Sequence, residues 1–215
     1  MYQRCQEQKM TGSMSFSIGS AIAALMLLHP ARAAAQSSPE RFELGVQLPV
    51  AASGEFDRTD AGIGGRFAWR PTALVGVEAE INLYPRDFPD GVAFSRGRTE
   101  GLFGVTVGPA LRRVRPFARL RPGFVEFREA PDPVACILIF PPPLSCSLAA
   151  GRTVFALDVG GGIDVAATRT TFVRADAGDR LLRYPGPALD NGGSVREASF
   201  FSHDFRFAIG AGLRF

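Results

Sequence analysis

Residues 205–215 read Phe-Arg-Phe-Ala-Ile-Gly-Ala-Gly-Leu-Arg-Phe, and this stretch decides the fold. Every second residue is apolar: Phe205, Phe207, Ile209, Ala211, Leu213 and Phe215. Between them stand Arg206, Ala208, Gly210, Gly212 and Arg214. Successive side chains of a β-strand point to opposite sides, so this strand has one fully apolar face and one small-or-charged face. An apolar outside with a polar inside, over roughly 10 residues, is the pattern of a strand that crosses a membrane in a closed barrel.

The same alternation recurs upstream. Phe42, Leu44, Val46 and Leu48 oppose Glu43, Gly45 and Gln47. Ile63, Gly65, Phe67 and Trp69 oppose Gly62, Gly64, Arg66 and Ala68, and Val75, Val77, Ala79, Ile81 and Leu83 oppose Gly76, Glu78, Glu80 and Asn82. Phe103, Val105 and Val107 face away from Glu100, Leu102, Gly104 and Thr106. Residues 117–127 set Ala118, Leu120, Pro122 and Phe124 against Arg119, Arg121 and Gly123, with Pro122 a weak point because it cannot donate to a ladder. Residues 155–164 and 171–178 complete the set, carrying Asp158 and Asp164, then Arg174 and Asp176, on their polar faces. The pattern predicts an all-β chain, an eight-stranded antiparallel up-and-down transmembrane β-barrel. Its connections alternate: long at 51–60, 84–97, 128–152 and 183–200, short at 70–72, 109–115 and 166–168. Short turns on one side and long loops on the other are the habit of outer-membrane barrels.

The amino terminus reads as an export signal. Arg4 and Lys9 precede an apolar run at 18–28, and Ala33-Ala34-Ala35 offers a small-residue cleavage site, so 1–35 is expected to be removed and 36–215 to form the barrel. Removal takes Arg4, Lys9, Arg32 and Glu7 from the 24 basic and 21 acidic residues, leaving 21 and 20. So even a balance excludes a nucleic-acid partner, which needs a basic face. After 1–35 no apolar run reaches the ~18 residues of a membrane helix, so membrane residence requires a closed barrel.

With its signal segment, eight alternating strands and terminal Phe215, the mature chain resembles the small eight-stranded bacterial outer-membrane barrels of the OmpA-transmembrane and OmpX type. The resemblance implies an outer-membrane location and a monomer. It also implies contact with the lipid bilayer and lipopolysaccharide, and delivery by the barrel-assembly machinery, with Phe215 as the assembly signal.

The polar faces are expected to meet in the lumen, bringing together Glu43, Arg66, Glu78, Glu80, Glu100, Arg119, Arg121, Asp158, Asp164, Arg174, Asp176, Arg206 and Arg214, with Gln47 and Asn82. Eight strands leave an interior that side chains can fill. Charges there must pair or stay wet, and the planar fork of Arg suits bridging. The expectation is a closed or nearly closed lumen, with a narrow channel for small solutes as the alternative.

Enzymatic chemistry finds no support. Glu78 and Glu80 stand two residues apart on one face, a spacing an acid/base pair would tolerate, but arginines share that face. Ser202-His203-Asp204 is a triad in letters only, since neighbours in a strand cannot converge. Lipid A deacylase barrels resemble this architecture and use a His-x-Ser pair, whereas here His203 is followed by Asp204 and Phe205. No cofactor and no metal site are expected, and Arg112, Arg113 and Arg115 read as solvated turn residues. Loop 128–152 holds Cys136 and Cys146, expected to pair as a disulfide in an oxidising compartment, around an apolar stretch at 137–140. That stretch either docks an extracellular ligand or folds over the barrel mouth.

Overall fold

The computed structural model describes residues 41–86, 96–129, 140–190 and 192–215, with only the backbone of Arg96. The expected signal segment and Cys136 lie outside them. The chain runs β1 Phe42–Ser53, β2 Arg58–Ala61, β3 Ile63–Trp69, β4 Val75–Tyr84, β5 Arg96–Val107 and β6 Val114–Arg128. A short helix, α1 Leu144–Ala149, precedes β7 Thr153–Ala166, β8 Thr171–Tyr184, the two-residue strands β9 Ala188–Leu189 and β10 Val195–Arg196, and β11 Phe200–Arg214. Each long strand pairs antiparallel with its sequence neighbour, and β11 returns to pair with β1 from Glu43↔Arg214 to Ser53↔Asp204. Beyond that ladder, Phe42 and Phe215 exchange both backbone hydrogen bonds at 3.0 Å. From β3 to the turn end the sheet closes on itself without a free edge, so backbone groups there are satisfied without water, while β2 pairs only with β1.

The barrel has eight staves although eleven strands are described, because β2 and β3 are one strand and β9 and β10 form a separate hairpin. Val50↔Ala61 and Gln47↔Gly64 belong to one continuous register, interrupted where Leu48 and Pro49 face Ile63 and Gly62. Gly62 donates to the Pro49 carbonyl at 2.8 Å, but Pro49 has no N–H to return the bond. Pro122 acts alike in β6: the β5 ladder skips from Leu102↔Gly123 to Val105↔Leu120. In both places the proline weakens one ladder without ending the strand.

Three long connections lie at one end of the barrel, while 70–74, 108–113 and 167–170 lie at the other with both strand termini. The fourth expected long loop, 51–60, is corrected. β1 runs on to Ser53 and β2 starts at Arg58, so only a turn at 54–57 remains. Polar letters there belong to strands that continue past the apolar belt, where lumen and outer face are both polar.

The outward face is apolar all round. Leu44, Val46, Leu48, Ile81, Phe103, Leu120, Val159, Phe205, Phe207, Ile209 and Leu213 are all exposed, several by half or more. No soluble monomer leaves such a continuous surface to water. The step from Phe205 to Phe215 spans about 34 Å along a strand, and about 25 Å along the axis at the usual tilt, matching the apolar height of outer-membrane barrels. At the turn end the rings of Phe42, Phe67 and Phe215 stack at about 6 Å beside Trp69, an aromatic edge to the belt. No described helix is long and apolar enough to cross a membrane.

Candidate functional site

The alternation that turns Phe and Leu outward turns Arg, Glu and Asp inward, and all of these meet in one lumen. Of the sequence-derived set, Glu43, Arg66, Glu78, Glu80, Glu100, Arg119, Arg121, Asp158, Asp164, Arg174, Asp176 and Arg206 are buried to 5 % exposure or less. Arg214, at the turn end, keeps 17 % side-chain exposure. Gln47 and Asn82 are buried and joined by a 2.9 Å hydrogen bond.

Three tiers stack along the axis. At the turn end, Glu43 accepts from Arg70 at 2.8 and 3.0 Å, from Arg214 at 3.0 Å, and from Arg66 and Arg115 at 3.4 and 3.5 Å. Asp164 accepts from Arg70 at 3.1 Å, tying β3 to β7 across the bore. Arg66 and Arg214 also lie over the buried Phe172 ring, so the cations have an apolar floor as well as anions.

The middle tier is centred on Arg121, whose side chain is fully buried. It donates to Glu78 at 3.0 Å, to Glu80 at 2.5 Å and to Asp158 at 2.7 and 3.0 Å. Arg119 joins Asp158 at 2.7 Å and also bonds Asp176, while Arg174 reaches Asp176 at 3.0 Å and Glu78 at 3.1 Å. Arg206 bonds Glu80. One fork therefore bridges two carboxylates repeatedly, the geometry in which Arg outperforms Lys. Room for these stems comes from glycine: a β-carbon at Gly104 would stand 2.7 Å from the Arg121 Cα and 3.0 Å from its Cγ, and one at Gly76 would stand 3.1 Å from the Arg70 guanidinium.

Apart from Glu100, the upper tier was not in the sequence-derived set. Arg180 bonds Glu100 and reaches Asp204 at 2.7 Å. Asp60 lies 3.3 Å from Arg98 and 3.5 Å from Arg58. These side chains sit where strands were expected to have ended. Extending the parity from Glu100 to Arg98, from Asp176 to Arg180 and from Arg206 to Asp204 would have found them. Ser202 and Asp204 point into the lumen and His203 points out, where its Nδ1 lies 2.7 Å from the Asp179 carboxylate; the letters Ser-His-Asp do not converge. Arg115 corrects another expectation, because it turns in toward Glu43 while Arg112 and Arg113 stay exposed.

Toward the loop end of β6, β7 and β8 the bore becomes apolar, beside the upper charges of β2 and β5. Leu102, Val125, Phe127, Val154, Ala156, Leu182 and Tyr184 line it, and α1 packs onto them through Leu144 and Leu148, at 1 and 2 % exposure. This part of loop 128–152 therefore folds over the mouth. Of the stretch 137–140 only Phe140 is described, and it is 86 % exposed. Outside the mouth, Asp190 holds the β9–β10 hairpin: it accepts from the Ser194 amide at 2.7 Å and from Arg196 at 3.0 Å, and these bonds keep its carboxyl below the usual range.

No family model and no curated protein matches the sequence. Among solved structures, the chain is similar to the Escherichia coli outer membrane protein W, at 14 % identity and a TM-score of 0.49, over 84 % of this chain and 100 % of that one. It is similar to Neisserial surface protein A, at 14 % identity and a TM-score of 0.48, over 81 and 97 %. The N-terminal barrel domain of Pseudomonas aeruginosa OprF aligns at 12 % identity and a TM-score of 0.45, over 80 and 97 %. The chain folds as an eight-stranded barrel of the bacterial outer-membrane type, and its apolar belt has the height that membrane requires.

Proposed function

We propose that this protein is a non-enzymatic outer-membrane barrel with a filled lumen, acting in envelope structure or through the surface its long loops present. The carrying observation is Arg121, buried at the barrel centre and shared by Glu78, Glu80 and Asp158 from β4 and β7. A cation so held occupies the bore and binds opposite walls together. Buried ion pairs add little net stability over an apolar filling, but they fix register and make any rearrangement costly. The α1 helix adds a second closure at the loop end.

The long loops face the exterior of the cell and the short turns face the periplasm, in the usual orientation of this architecture. Planar-bilayer conductance of the refolded protein tests the reading. A filled lumen gives no steady single-channel current. Stable currents that vanish when Arg121 is replaced by a bulkier aromatic residue would establish the narrow-channel alternative instead.

A further inference from the structure

The turn end of the barrel is basic without matching acid. Arg41, directly before β1, Arg112 and Arg113 in the turn at 108–113, and Arg169 in the turn at 167–170 are all exposed. The acidic side chains described at this end, Glu43 and Asp164, are both buried in the bore, which leaves the terminal carboxylate of Phe215 as the other anion. The bore adds to the excess. Glu43 alone faces four guanidiniums within 3.5 Å, those of Arg66, Arg70, Arg115 and Arg214. Arg115 and Arg214 keep 15 and 17 % side-chain exposure, so their charge is felt at the mouth. The Arg115 Nε and the Arg214 Nη2 make no hydrogen bond to the described residues.

Fixed turns present the rim arginines. Leu111 and Val114 exchange backbone hydrogen bonds at 2.8 and 2.7 Å, so Arg112 and Arg113 form the tip of a hairpin. Arg112 has a φ of 41°, a left-handed position that glycine fills at less cost in such a tip. The Ala166 amide donates to the Arg113 carbonyl at 2.7 Å and joins this turn to the next. There the Thr171 amide donates to the Thr168 hydroxyl at 3.0 Å, closing the chain around Arg169. Arg41 stands across the ring from β6, its carbonyl accepting from the Arg70 amide at 2.7 Å.

One exposed ion pair contributes little. Cations spread over separate turns therefore hold firmly only a partner that carries several anions at once. Carboxylates repeated along a polymer meet that demand, and the guanidinium fork suits them. Lipid headgroups fit less well, because they ring the barrel from outside while Arg115 and Arg214 face its axis. We propose that the turn end is a docking face for an acidic polymer of the periplasm, the carboxylate-bearing peptides of the cell wall. The proposal rests on the outer-membrane orientation proposed above, and it names a partner for the envelope role.

The test sediments refolded full-length barrel, in non-ionic detergent, with purified cell-wall sacculi. Wild type is expected to co-sediment. Arg41→Gln/Arg112→Gln/Arg113→Gln/Arg169→Gln is expected to bind at least about tenfold more weakly, from about twofold for each exposed ion pair. Arg128→Gln/Arg152→Gln/Arg183→Gln/Arg196→Gln removes the same charge from the loop end and is expected to bind as wild type does. Heat-dependent gel mobility shows whether each variant is folded. Sacculi with amidated carboxyl groups need no variant, and are expected to leave wild type in solution. The proposal is overturned if wild type does not sediment with native sacculi, if the two quadruple variants bind alike, or if amidated sacculi hold wild type as well as native ones. Release from native sacculi by phosphatidylglycerol at equal charge also overturns it, and assigns the face to lipid headgroups. Sedimentation does not depend on sidedness, so labelling of Ala167→Cys from outside intact cells would overturn the orientation separately.

Discussion

Replacing Arg121 with Met keeps most of the side-chain volume and removes the central cation of the lumen. Glu78, Glu80 and Asp158 then lose their contacts of 3.0, 2.5 and 2.7 Å together. Breaking a buried pair by deleting one partner costs about 3–5 kcal/mol, because charge is left without compensation. The neighbouring arginines set where in that range the loss falls. Glu78 keeps Arg174 at 3.1 Å and Arg66 at 3.4 Å, Asp158 keeps Arg119 at 2.7 Å, and Glu80 keeps Arg206. No carboxylate is fully orphaned, so the expected loss is about 3 kcal/mol, the lower end. Urea unfolding in phosphatidylcholine vesicles measures it through the folded band on unheated gels, with an unchanged dependence on urea as the sign that only stability has moved. Adding Glu80→Gln removes one of the uncompensated charges, so the double variant is expected to lose at least about 1 kcal/mol less than the two single losses added. A loss under about 1 kcal/mol for Arg121→Met is what a solvated pair gives. That result would refute the filled lumen, since the same contacts in a wet bore are screened.

Deleting Phe215 removes both hydrogen bonds with Phe42 and a ring stacked on Phe42 at 6.1 Å. Folded protein in the outer membrane is expected to fall sharply, read as heat-modifiable band in membrane fractions; normal levels would count against Phe215 as the assembly signal. Gly192→Cys, in a background lacking native cysteines, is expected to label from outside intact cells, and Ala167→Cys to stay protected; the reverse inverts the topology. Gly54 is a poor labelling site, because a β-carbon there would stand 2.3 Å from the His203 carbonyl oxygen. Cys136 and Cys146 are expected to be bonded in the exported protein, stabilising the closed loop by roughly 2–3 kcal/mol in the chain-entropy model. Recovery of both as alkylated thiols without reductant would dispose of that pair.

The closed eight-stave barrel was legible because its signal is binary and repeated: apolar out, small or charged in, from Phe42 to Phe215. The charged lumen followed from the same parity. What escaped was the upper third. Sequence reading ends a strand where the outward residues stop being apolar, and at Thr99, Asp179, Leu181 and His203 the outward face becomes mixed. The backbone ladder does not stop there, because a barrel saturates its hydrogen bonds along the whole stave whichever solvent the outer face meets. Arg98, Arg180 and Asp204 continue the inward series past that point. Arg70 and Arg115 were missed in the same way at the other end. They continue the inward parity at the turn end, Arg70 from Arg66 and Ala68 and Arg115 from Arg119 and Phe117, at positions that read as turns.

The two lumen chemistries divide the labour of closure along the axis. In the middle, every Arg fork must find its carboxylates across the bore, and a one-residue slip of any strand would send a charge into lipid and a Phe into the lumen. The cost of such a slip grows with each charged pair, so the ion network acts chiefly on register. Above it, Leu144 and Leu148 of α1 meet Val125, Val154 and Leu182 through apolar contact, which carries no such positional demand. A plug held this way tolerates a repacked or exchanged loop, whereas the ladder from Glu43 to Asp204 does not. Variation in loop 128–152 is therefore compatible with an unchanged barrel, and the wall fixes what the loop is free to change.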